Sequence, residues 1–261
     1  MNRKLIHLSL LLFLCAASQA AFSQGFTGRA YYKSSFNSAI SLDSTKLNPE
    51  QMAQIQASFK KQMEQDYVLS FTQTESIWEK EASLATGPAN ASAGGAVLMV
   101  SPSGEGATLY KNVAGTYLQE QEMMGKEYLI KGKVEPFEWE LSEETKKIGD
   151  FTAQKASFTK MVRSRRSSTG MTEMENLKNT IQVIVWFTPE IPVSHGPEYY
   201  FGLPGLILEV QNQGTILICE KIELNPTADP VVIERPSKGK QITQLEFQVI
   251  EQQGMKQMMN R

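Results

Sequence analysis

Residues 180–210 read TIQVIVWFTPEIPVSHGPEYYFGLPGLILEV, and this stretch decides the predicted fold. It opens with a β-branched and aromatic run, residues 180–187, of the kind that forms a central strand. Three prolines follow, Pro189, Pro192 and Pro197, and they exclude a helix there. A second apolar run begins at Leu206. The stretch therefore predicts two strands joined by a long irregular connection.

The connection ends in the hexapeptide Gly202-Leu203-Pro204-Gly205-Leu206-Ile207. Pro204 presets its own φ and Gly205 tolerates a positive φ, so the pattern predicts a type II turn with positive φ at Gly205. No side chain of the hexapeptide can attack a carbonyl or bind a metal. We therefore expect an architectural role, in which Leu203, Leu206 and Ile207 are buried and hold residues 192–201 against the sheet.

Shorter strands are predicted on both sides of this stretch. Residues 67–71 alternate between the two faces, which predicts a half-buried strand that continues toward Trp78. Short runs separated by turn residues predict an antiparallel meander, at residues 26–33, 96–100, 107–111, 116–121, 127–130, 137–141 and 151–158. Residues 206–210 and 215–222 are predicted to form a hairpin around Asn212-Gln213-Gly214, and residues 244–250 to form a last strand.

One helix is predicted at residues 48–63. Asn48 is a suitable N-cap and Pro49 suits the first helical position. Apolar residues then recur at helical spacing, at Met52, Ile55, Phe59 and Met63. The predicted fold class is therefore mainly β with minor α: one antiparallel sheet, with an open half-barrel as a candidate shape, and one amphipathic helix packed on it.

The polar segment 163–179 carries Arg163, Arg165 and Arg166. We interpret it as an exposed loop. The alternative is binding of an anionic surface such as lipopolysaccharide.

Residues 1–23 predict export. Arg3 and Lys4 precede an apolar run at residues 5–17, and small residues then offer cleavage after Ala20 or after Ser23. The run is too short to span a bilayer comfortably. No later stretch reaches the roughly 18 apolar residues that a spanning helix needs.

Lipidation at Cys15 is an alternative to simple cleavage, but Leu14 stands where a lipoprotein signal requires a small residue. We expect residues 24–261 to form one domain in the periplasm or at the outer-membrane surface.

Composition limits the chemistry. The formal net charge is −2, and loss of the two N-terminal cations makes it −4, which argues against a nucleic-acid partner. Beyond the signal the chain has one histidine, His195, and one cysteine, Cys219. These are too few strong ligands for a transition-metal site, so we predict no metal and no cofactor, with a Cu(I) site in the methionine-rich residues 255–259 as the alternative. Cys219 lies in an apolar run and is predicted to be a buried, inert thiol.

A hydrolase is one functional alternative. His195 has Glu190 and Glu198 nearby in sequence and would need a distant serine, but no Gly-x-Ser-x-Gly elbow is present. His195 with Cys219 would form a thiol pair. Paired carboxylates among Glu190, Glu198 and Glu209 are the third form of this alternative.

The hexapeptide matches letter for letter the motif that names the GLPGLI family of secreted Bacteroidetes proteins, and the chain resembles that family elsewhere too. The resembling segments are Trp139 and residues 145–151, 154–156, 186–192 and 196–197, with a weaker match at 76–78. Ala153 stands where family members often carry cysteine, and residues 163–179 look like an insertion.

The resemblance implies a cell-envelope protein without an assigned activity, and nearby TonB-dependent transporter genes in the family imply an accessory role. We expect a non-catalytic binding or accessory protein, with an apolar ligand or an outer-membrane transporter as candidate partners and Tyr199, Tyr200 and Phe201 as the candidate ligand surface. The alternative is an assembly protein that recognises a protein partner. A concave apolar cavity would favour ligand binding, whereas a filled core would favour assembly.

Overall fold

The computed structural model describes residues 26–37, 64–81, 107–166 and 175–259, together with positions 50 and 54. Within these ranges the side chains of residues 162–179 and 255–259 are not described. The predicted signal at residues 1–23 and the predicted strand at 96–100 lie outside the described residues. So does the predicted helix at 48–63, apart from Glu50 and Gln54, which are helical.

The described chain forms one sheet of twelve strands and a helix, and the predicted mainly β fold is confirmed. The elements are β1 (Gly28–Phe36), β2 (Asp66–Phe71), β3 (Glu75–Lys80), β4 (Thr108–Asn112), β5 (Thr116–Met123), β6 (Lys126–Lys133), β7 (Glu140–Ile148), β8 (Phe151–Arg166), β9 (Glu175–Thr188), β10 (Leu206–Asn212), β11 (Thr215–Leu224), β12 (Lys240–Thr243) and α1 (Gln244–Met259).

The strand order is β12-β6-β5-β4-β3-β2-β1-β11-β10-β9-β8-β7, and the sheet does not close into a barrel. Every described pair is antiparallel except β12 with β6, which is parallel, so the sheet is mixed rather than purely antiparallel. In the described residues, no helix is both long and apolar enough to cross a bilayer.

The inner face of the sheet, which carries Tyr32, Leu69, Trp78 and Val185, is filled by the chain itself. We call residues 189–205, between β9 and β10, the inner loop. Its Tyr199 stacks edge-on against Tyr117 of β5 at 5.2 Å between ring centroids. The next residue, Tyr200, lies 6.3 Å from the Phe158 ring of β8.

These two contacts require a strongly curved sheet. β5 and β8 are eight positions apart in the strand order, which in a flat sheet would separate them by roughly 38 Å. Two consecutive residues of the inner loop reach both strands. The sheet therefore curves around the inner loop, and the inner loop fills its concave side.

Residues 225–239 cross the outer face of the sheet from β11 to β12. Arg29 pairs with Asp229 at 2.9 Å, and Arg235 pairs with Glu75. The carboxylate of Glu120 accepts hydrogen bonds from the backbone N–H groups of residues 237 and 238, at 2.7 and 2.6 Å. These contacts bring β12 beside β6, where it adds the one parallel pair.

One predicted turn is confirmed, and one predicted strand is divided. Gln213 and Gly214 have φ values of 49° and 87°, so they form the two-residue turn of the predicted β10–β11 hairpin. The strand predicted to run from Tyr67 to Trp78 is instead a hairpin of β2 and β3. Thr72 causes the break, because its hydroxyl accepts hydrogen bonds from the N–H groups of residues 74 and 75.

The strand predicted at residues 244–250 is wrong, since these residues begin helix α1. Thr243 and Glu246 form a reciprocal capping box: the Glu246 carboxylate accepts from Thr243 N–H at 2.7 Å, and the Thr243 hydroxyl accepts from Glu246 N–H at 3.3 Å. Phe247 anchors the helix on the sheet, with its ring 5.8 Å from that of Tyr128.

The interpretation of residues 163–179 as a loop is also wrong in part. β8 extends to Arg166 and β9 begins at Glu175, and the two pair continuously in register as far as those ends. The strand predicted at residues 137–141 starts late, because β7 begins at Glu140 and residues 134–139 are irregular.

Candidate functional site

The three apolar side chains of the hexapeptide for which burial was predicted are buried. Leu203 is 2% exposed, and Leu206 and Ile207 are 0% exposed. Leu206 N–H donates to the Ile191 carbonyl at 3.0 Å, and Ile207 N–H donates to the His195 carbonyl at 3.0 Å. The first residues of β10 thus hold the inner loop against the sheet through backbone hydrogen bonds.

The predicted positive φ at Gly205 is wrong, because the positive-φ glycine of the motif is Gly202, at 96°. Gly205 is required for a different reason. A Cβ added there would lie 2.2 Å from the Thr188 carbonyl oxygen and 2.9 Å from Pro189 N. The glycine allows the two ends of the inner loop to pass in direct backbone contact.

Lys111 on β4 holds the inner loop from the opposite side by hydrogen bonds. Its ammonium donates hydrogen bonds to the carbonyl oxygens of Gly196 (2.7 Å), Glu198 and Tyr200 (2.9 Å). All three N–H donors therefore have acceptors, an arrangement that needs the protonated amine. The side chain is fully buried, and burial lowers the pKa of Lys111 to about 7, while the nearby Glu198 carboxylate acts in the opposite direction.

His195, the only histidine beyond the predicted signal, is buried at 0% exposure beside Lys111. Neither ring nitrogen makes a hydrogen bond within normal geometry. Burial is the main cause that lowers the pKa of His195 to about 3, and the Lys111 charge adds to it. The backbone of residues 72 and 73 lies nearby and opposes this effect in part. His195 is therefore a neutral member of the core at ordinary pH.

The candidate ligand surface, Tyr199, Tyr200 and Phe201, contacts the chain's own side chains. Tyr200 is 6% exposed and Phe201 is 5% exposed. Both rings pack on Phe137, at 5.7 and 5.9 Å between centroids. The hydroxyl of the half-buried Tyr199 donates to Gln119 of β5. The three aromatic residues join the inner loop to the sheet.

A small cavity lies between the inner loop and the β10–β11 hairpin. Its volume is about 50 Å³, which is space for very few water molecules. The lining residues are Glu198, Tyr200, Val210, Asn212, Thr215 and Leu217. Asn212 donates to the Tyr200 hydroxyl at 3.2 Å, and its own carbonyl oxygen is buried without a partner. Burial raises the pKa of the Glu198 carboxyl, although the residue as a whole is partly exposed.

A second polar cluster lies on the outer face. Glu209 of β10, with a side chain 5% exposed, pairs with Lys146 at 2.6 Å and accepts a hydrogen bond from Gln211 at 2.6 Å. The Lys146 ammonium also lies 4.3 Å from the centroid of the Trp186 ring. Sequence reasoning missed this ion pair because its two residues are 63 positions apart.

The residues considered for hydrolysis are dispersed. Glu190 accepts from Thr152 N–H at 2.8 Å at the start of β8, Glu198 lines the small cavity, and Glu209 lies on the outer face. Cys219 is 7% exposed, as predicted for a buried thiol, and burial raises its pKa to about 12. Within the described part of the chain, no three histidine, cysteine, aspartate or glutamate residues cluster in a way that could hold a metal.

One comparison with known proteins gives a match that includes this region. A family model described as "Protein of unknown function (Porph_ging)", a Bacteroidetes-associated family, matches residues 139–209. The match covers just over a quarter of the chain. It begins at Trp139, whose indole donates to the Phe201 carbonyl at 3.0 Å, and it spans the inner loop and the hexapeptide. No curated protein matches.

Two solved structures of PNGF-II, in C2 and P21 space groups, resemble the chain distantly. The identities are 13% and 14% and the TM-scores 0.48 and 0.46, over 88% and 87% of this chain. The chain spans about a third of the length of those structures, 33% and 34% respectively. A likeness this distant supports no statement about activity.

Proposed function

We propose that this chain is an exported, non-catalytic accessory protein of the bacterial cell envelope, of the GLPGLI type, which acts by recognising a partner with its outer surface. The filled inner face is the observation that carries the proposal. The inner loop, rather than a ligand, occupies the concave side of the sheet. Its own aromatic residues and the three Lys111 hydrogen bonds hold it there.

The dimensions of the inner face favour this proposal over storage of an apolar ligand. A cavity of about 50 Å³ is far below the 300–1,000 Å³ typical of small-molecule pockets. An acyl chain would have to displace the inner loop, which would leave three carbonyl oxygens and the Lys111 ammonium without partners. The non-catalytic part rests on the dispersal of the candidate carboxylates and on a histidine without hydrogen-bond partners.

The test separates surface recognition from ligand storage. Protein matured in a bacterial periplasm is weighed intact by native mass spectrometry and titrated with a fluorescent fatty acid. We expect the mass of the polypeptide alone and no saturable binding. Lys111→Met is the positive control, because loosening the inner loop should expose apolar surface and produce dye binding. A stoichiometric lipid on the unmodified protein would overturn the proposal in favour of ligand storage.

Export is tested separately with the full chain. Fractionation of cells that express residues 1–261 should recover a shortened protein in the periplasmic or outer-membrane fraction, with its new N-terminus near residue 21 or 24. Retention of the uncleaved chain in the cytoplasm would contradict the envelope assignment.

A further inference from the structure

The small cavity between the inner loop and the β10–β11 hairpin has two kinds of wall. Val210 and Leu217, which are 2% and 4% exposed, contribute apolar groups. The other lining side chains carry oxygen, namely those of Glu198, Tyr200, Asn212 and Thr215. Three of these residues are partly exposed, so the cavity reaches the surface beside the turn of the hairpin. A ligand group with a polar tip and an apolar stem would match both walls.

Glu198 has a backbone conformation that glutamate rarely adopts. Its φ is 49°, in the left-handed region, where glycine or asparagine is less strained. Conformation alone therefore does not explain a glutamate at this position, and the carboxylate is what the residue adds to the cavity. Backbone strain of this kind is concentrated at binding and catalytic sites.

The Glu198 carboxylate has no partner within the described part of the chain. None of the described residues forms an ion pair with it or donates a hydrogen bond to it. Burial raises the pKa of Glu198, while the charges of Lys111 and Lys160 act in the opposite direction. Lys111 leaves the carboxylate unpaired because its three donors go to carbonyl oxygens of the inner loop. A cation that also donates hydrogen bonds would therefore stabilise the ionised form of Glu198.

The oxygen atoms of the cavity suit an ammonium group better than a metal ion. The Tyr200 hydroxyl accepts a hydrogen bond from Asn212 at 3.2 Å and keeps a second lone pair, and the Thr215 hydroxyl can also accept. A primary ammonium has three N–H donors for such acceptors. Glu198 is the one acidic residue among the described lining residues, whereas divalent-cation sites commonly use several carboxylates. A volume of about 50 Å³ holds an ammonium and the first part of a methylene stem.

We propose that this cavity, which we call the ammonium pocket, takes the end of a lysine side chain from a protein partner. The ammonium lies at the Glu198 carboxylate, with the hydroxyls of Tyr200 and Thr215 as further acceptors and the apolar wall along the stem. The pocket is too small for more than the end of a side chain, so the rest of the ligand lies outside its mouth, as a protein would.

This inference rests on the proposed function, since it names the chemistry by which a partner is recognised. The two nearby lysines, Lys111 and Lys160, reduce the attraction for a further cation. Few ligand atoms enter the pocket. A free amine should therefore bind weakly, with a dissociation constant on the order of 1–10 mM.

The experiment is an NMR titration of isotope-labelled residues 24–261 with n-butylammonium chloride, which has the ammonium and the stem of lysine. We expect saturable shifts of the Thr215 and Leu217 amides. Sodium chloride and butan-1-ol at the same concentrations should not produce them. Equal shifts with sodium chloride would show a general ionic effect, and equal shifts with butan-1-ol would show an apolar cavity. Either result would overturn the proposal.

A second ligand separates a lysine side chain from a small free amine. Lysine with an acetylated α-amine and an N-methylamide at its carboxyl group should bind within about threefold of n-butylammonium, because the same group enters the pocket. Exclusion of this blocked lysine while n-butylammonium binds would overturn the assignment to a protein partner.

Matched variants test the carboxylate. Glu198→Gln removes the charge with little change in size and should weaken n-butylammonium binding at least about 10-fold. Glu220→Gln removes an exposed carboxylate elsewhere on β11 and should change affinity less than about twofold. Equal losses in the two variants would refute the ammonium pocket.

Thr215→Val is a further test at the mouth of the pocket, which remains available if a lower melting temperature shows that Glu198→Gln is misfolded. Loss of the hydroxyl acceptor should weaken binding about threefold, and an unchanged affinity would contradict the proposed position of the ammonium. The lipid and export tests of the proposed function do not involve Glu198 or Thr215. Failure of amine binding is therefore distinguishable from failure of the proposed function.

Discussion

The two ends of strand β9 lead to opposite environments. Its C-terminal end carries Val183, Val185 and Phe187, which are 0–1% exposed, and passes into the inner loop at the centre of the curved sheet. Toward its N-terminal end β9 pairs with β8 alone, because the described neighbours β7 and β10 end at Ser157 and Ile184. We call the part of this hairpin at residues 159–166 and 175–182 the arm. One strand thus joins an enclosed segment to a projecting one.

The difference follows from what each segment offers to bury. The inner loop is rich in prolines, which restrict its conformations, and its apolar and aromatic side chains fill the curve. Its polar backbone is satisfied by Lys111 and by the start of β10. The strands of the arm, by contrast, bond only to each other among the described strands. Enclosure therefore marks the inner loop as a structural segment.

Lys111→Met should produce the largest change in stability, because it removes the ammonium whose three hydrogen bonds hold the inner loop. Three carbonyl oxygens, two of them fully buried, lose their donor, and we expect the free energy of unfolding to fall by about 2–4 kcal/mol in urea denaturation. Lys131→Met is the matched control, since Lys131 is exposed and bonds a single glutamine side chain. Equal stability of the two variants would show that the inner loop does not depend on Lys111.

Alanine substitutions at the two glycines of the hexapeptide test why each is a glycine. Gly205 is expected to be required for close backbone contact, and Gly202 for its positive φ. The Cβ that Gly205→Ala adds would meet the Thr188 carbonyl at 2.2 Å, so we expect a loss of about 2–3 kcal/mol. Gly202→Ala has no atom closer than 3.6 Å but has a φ of 96°, and strain of about 1 kcal/mol is expected. If denaturant titrations show a larger loss of stability for Gly202→Ala than for Gly205→Ala, the close contact at Gly205 is not what requires the glycine.

The buried His195 should make the enclosed region sensitive to acid. Its folded pKa of about 3 lies below the ordinary value of 6.5, so between these values the unfolded chain binds more protons. Stability present above pH 6.5 is therefore lost on acidification, by roughly 2 kcal/mol between about pH 7 and about pH 5. His195→Leu should flatten this part of the pH–stability curve. Identical slopes for both proteins would mean that the imidazole is protonated in the folded state.

Shortening the arm should have the smallest effect on stability. Replacing residues 163–178 with an Asn-Gly turn would join Val162 to Asn179 in the geometry of a two-residue hairpin. The removed part has no flanking strands in the described sheet, so we expect the unfolding free energy to change by less than about 0.5 kcal/mol. A drop comparable to that of Lys111→Met in thermal melts would show that the arm belongs to the core.

Local patterns predicted the strands well. The β-branched run before Thr188, the apolar run after Gly205 and the Gln213-Gly214 turn each appear where the sequence placed them. The burial of Leu203, Leu206 and Ile207 also followed from their chemistry alone. Helix α1 was missed although its capping box, Thr243 with Glu246, is a local signal. Residues 244–250 had instead been predicted as the last strand.

The contacts that build the site were not predictable in the same way. The acceptors of Lys111 lie 85 to 89 residues away in sequence, and nothing around Lys111 marks it as buried. Gly205 looked like a turn glycine because its close approach to Thr188 exists only once β9 and β10 are paired. Residues 163–179 were predicted as a loop because they are polar, and polarity does not reveal the pairing of β8 with β9 that extends into both ends of this stretch.

Hydrogen exchange of two sets of backbone amides tests the central claim, that the inner loop is a fixed part of the core. The Leu206 and Ile207 amides, which donate to carbonyls of the inner loop, should exchange only with global unfolding, while amides of the arm exchange orders of magnitude faster. Excess fatty acid should leave both rates unchanged. Exchange at Ile207 as fast as in the arm, or a marked acceleration by the fatty acid, would contradict the account and make the inner face a site that opens.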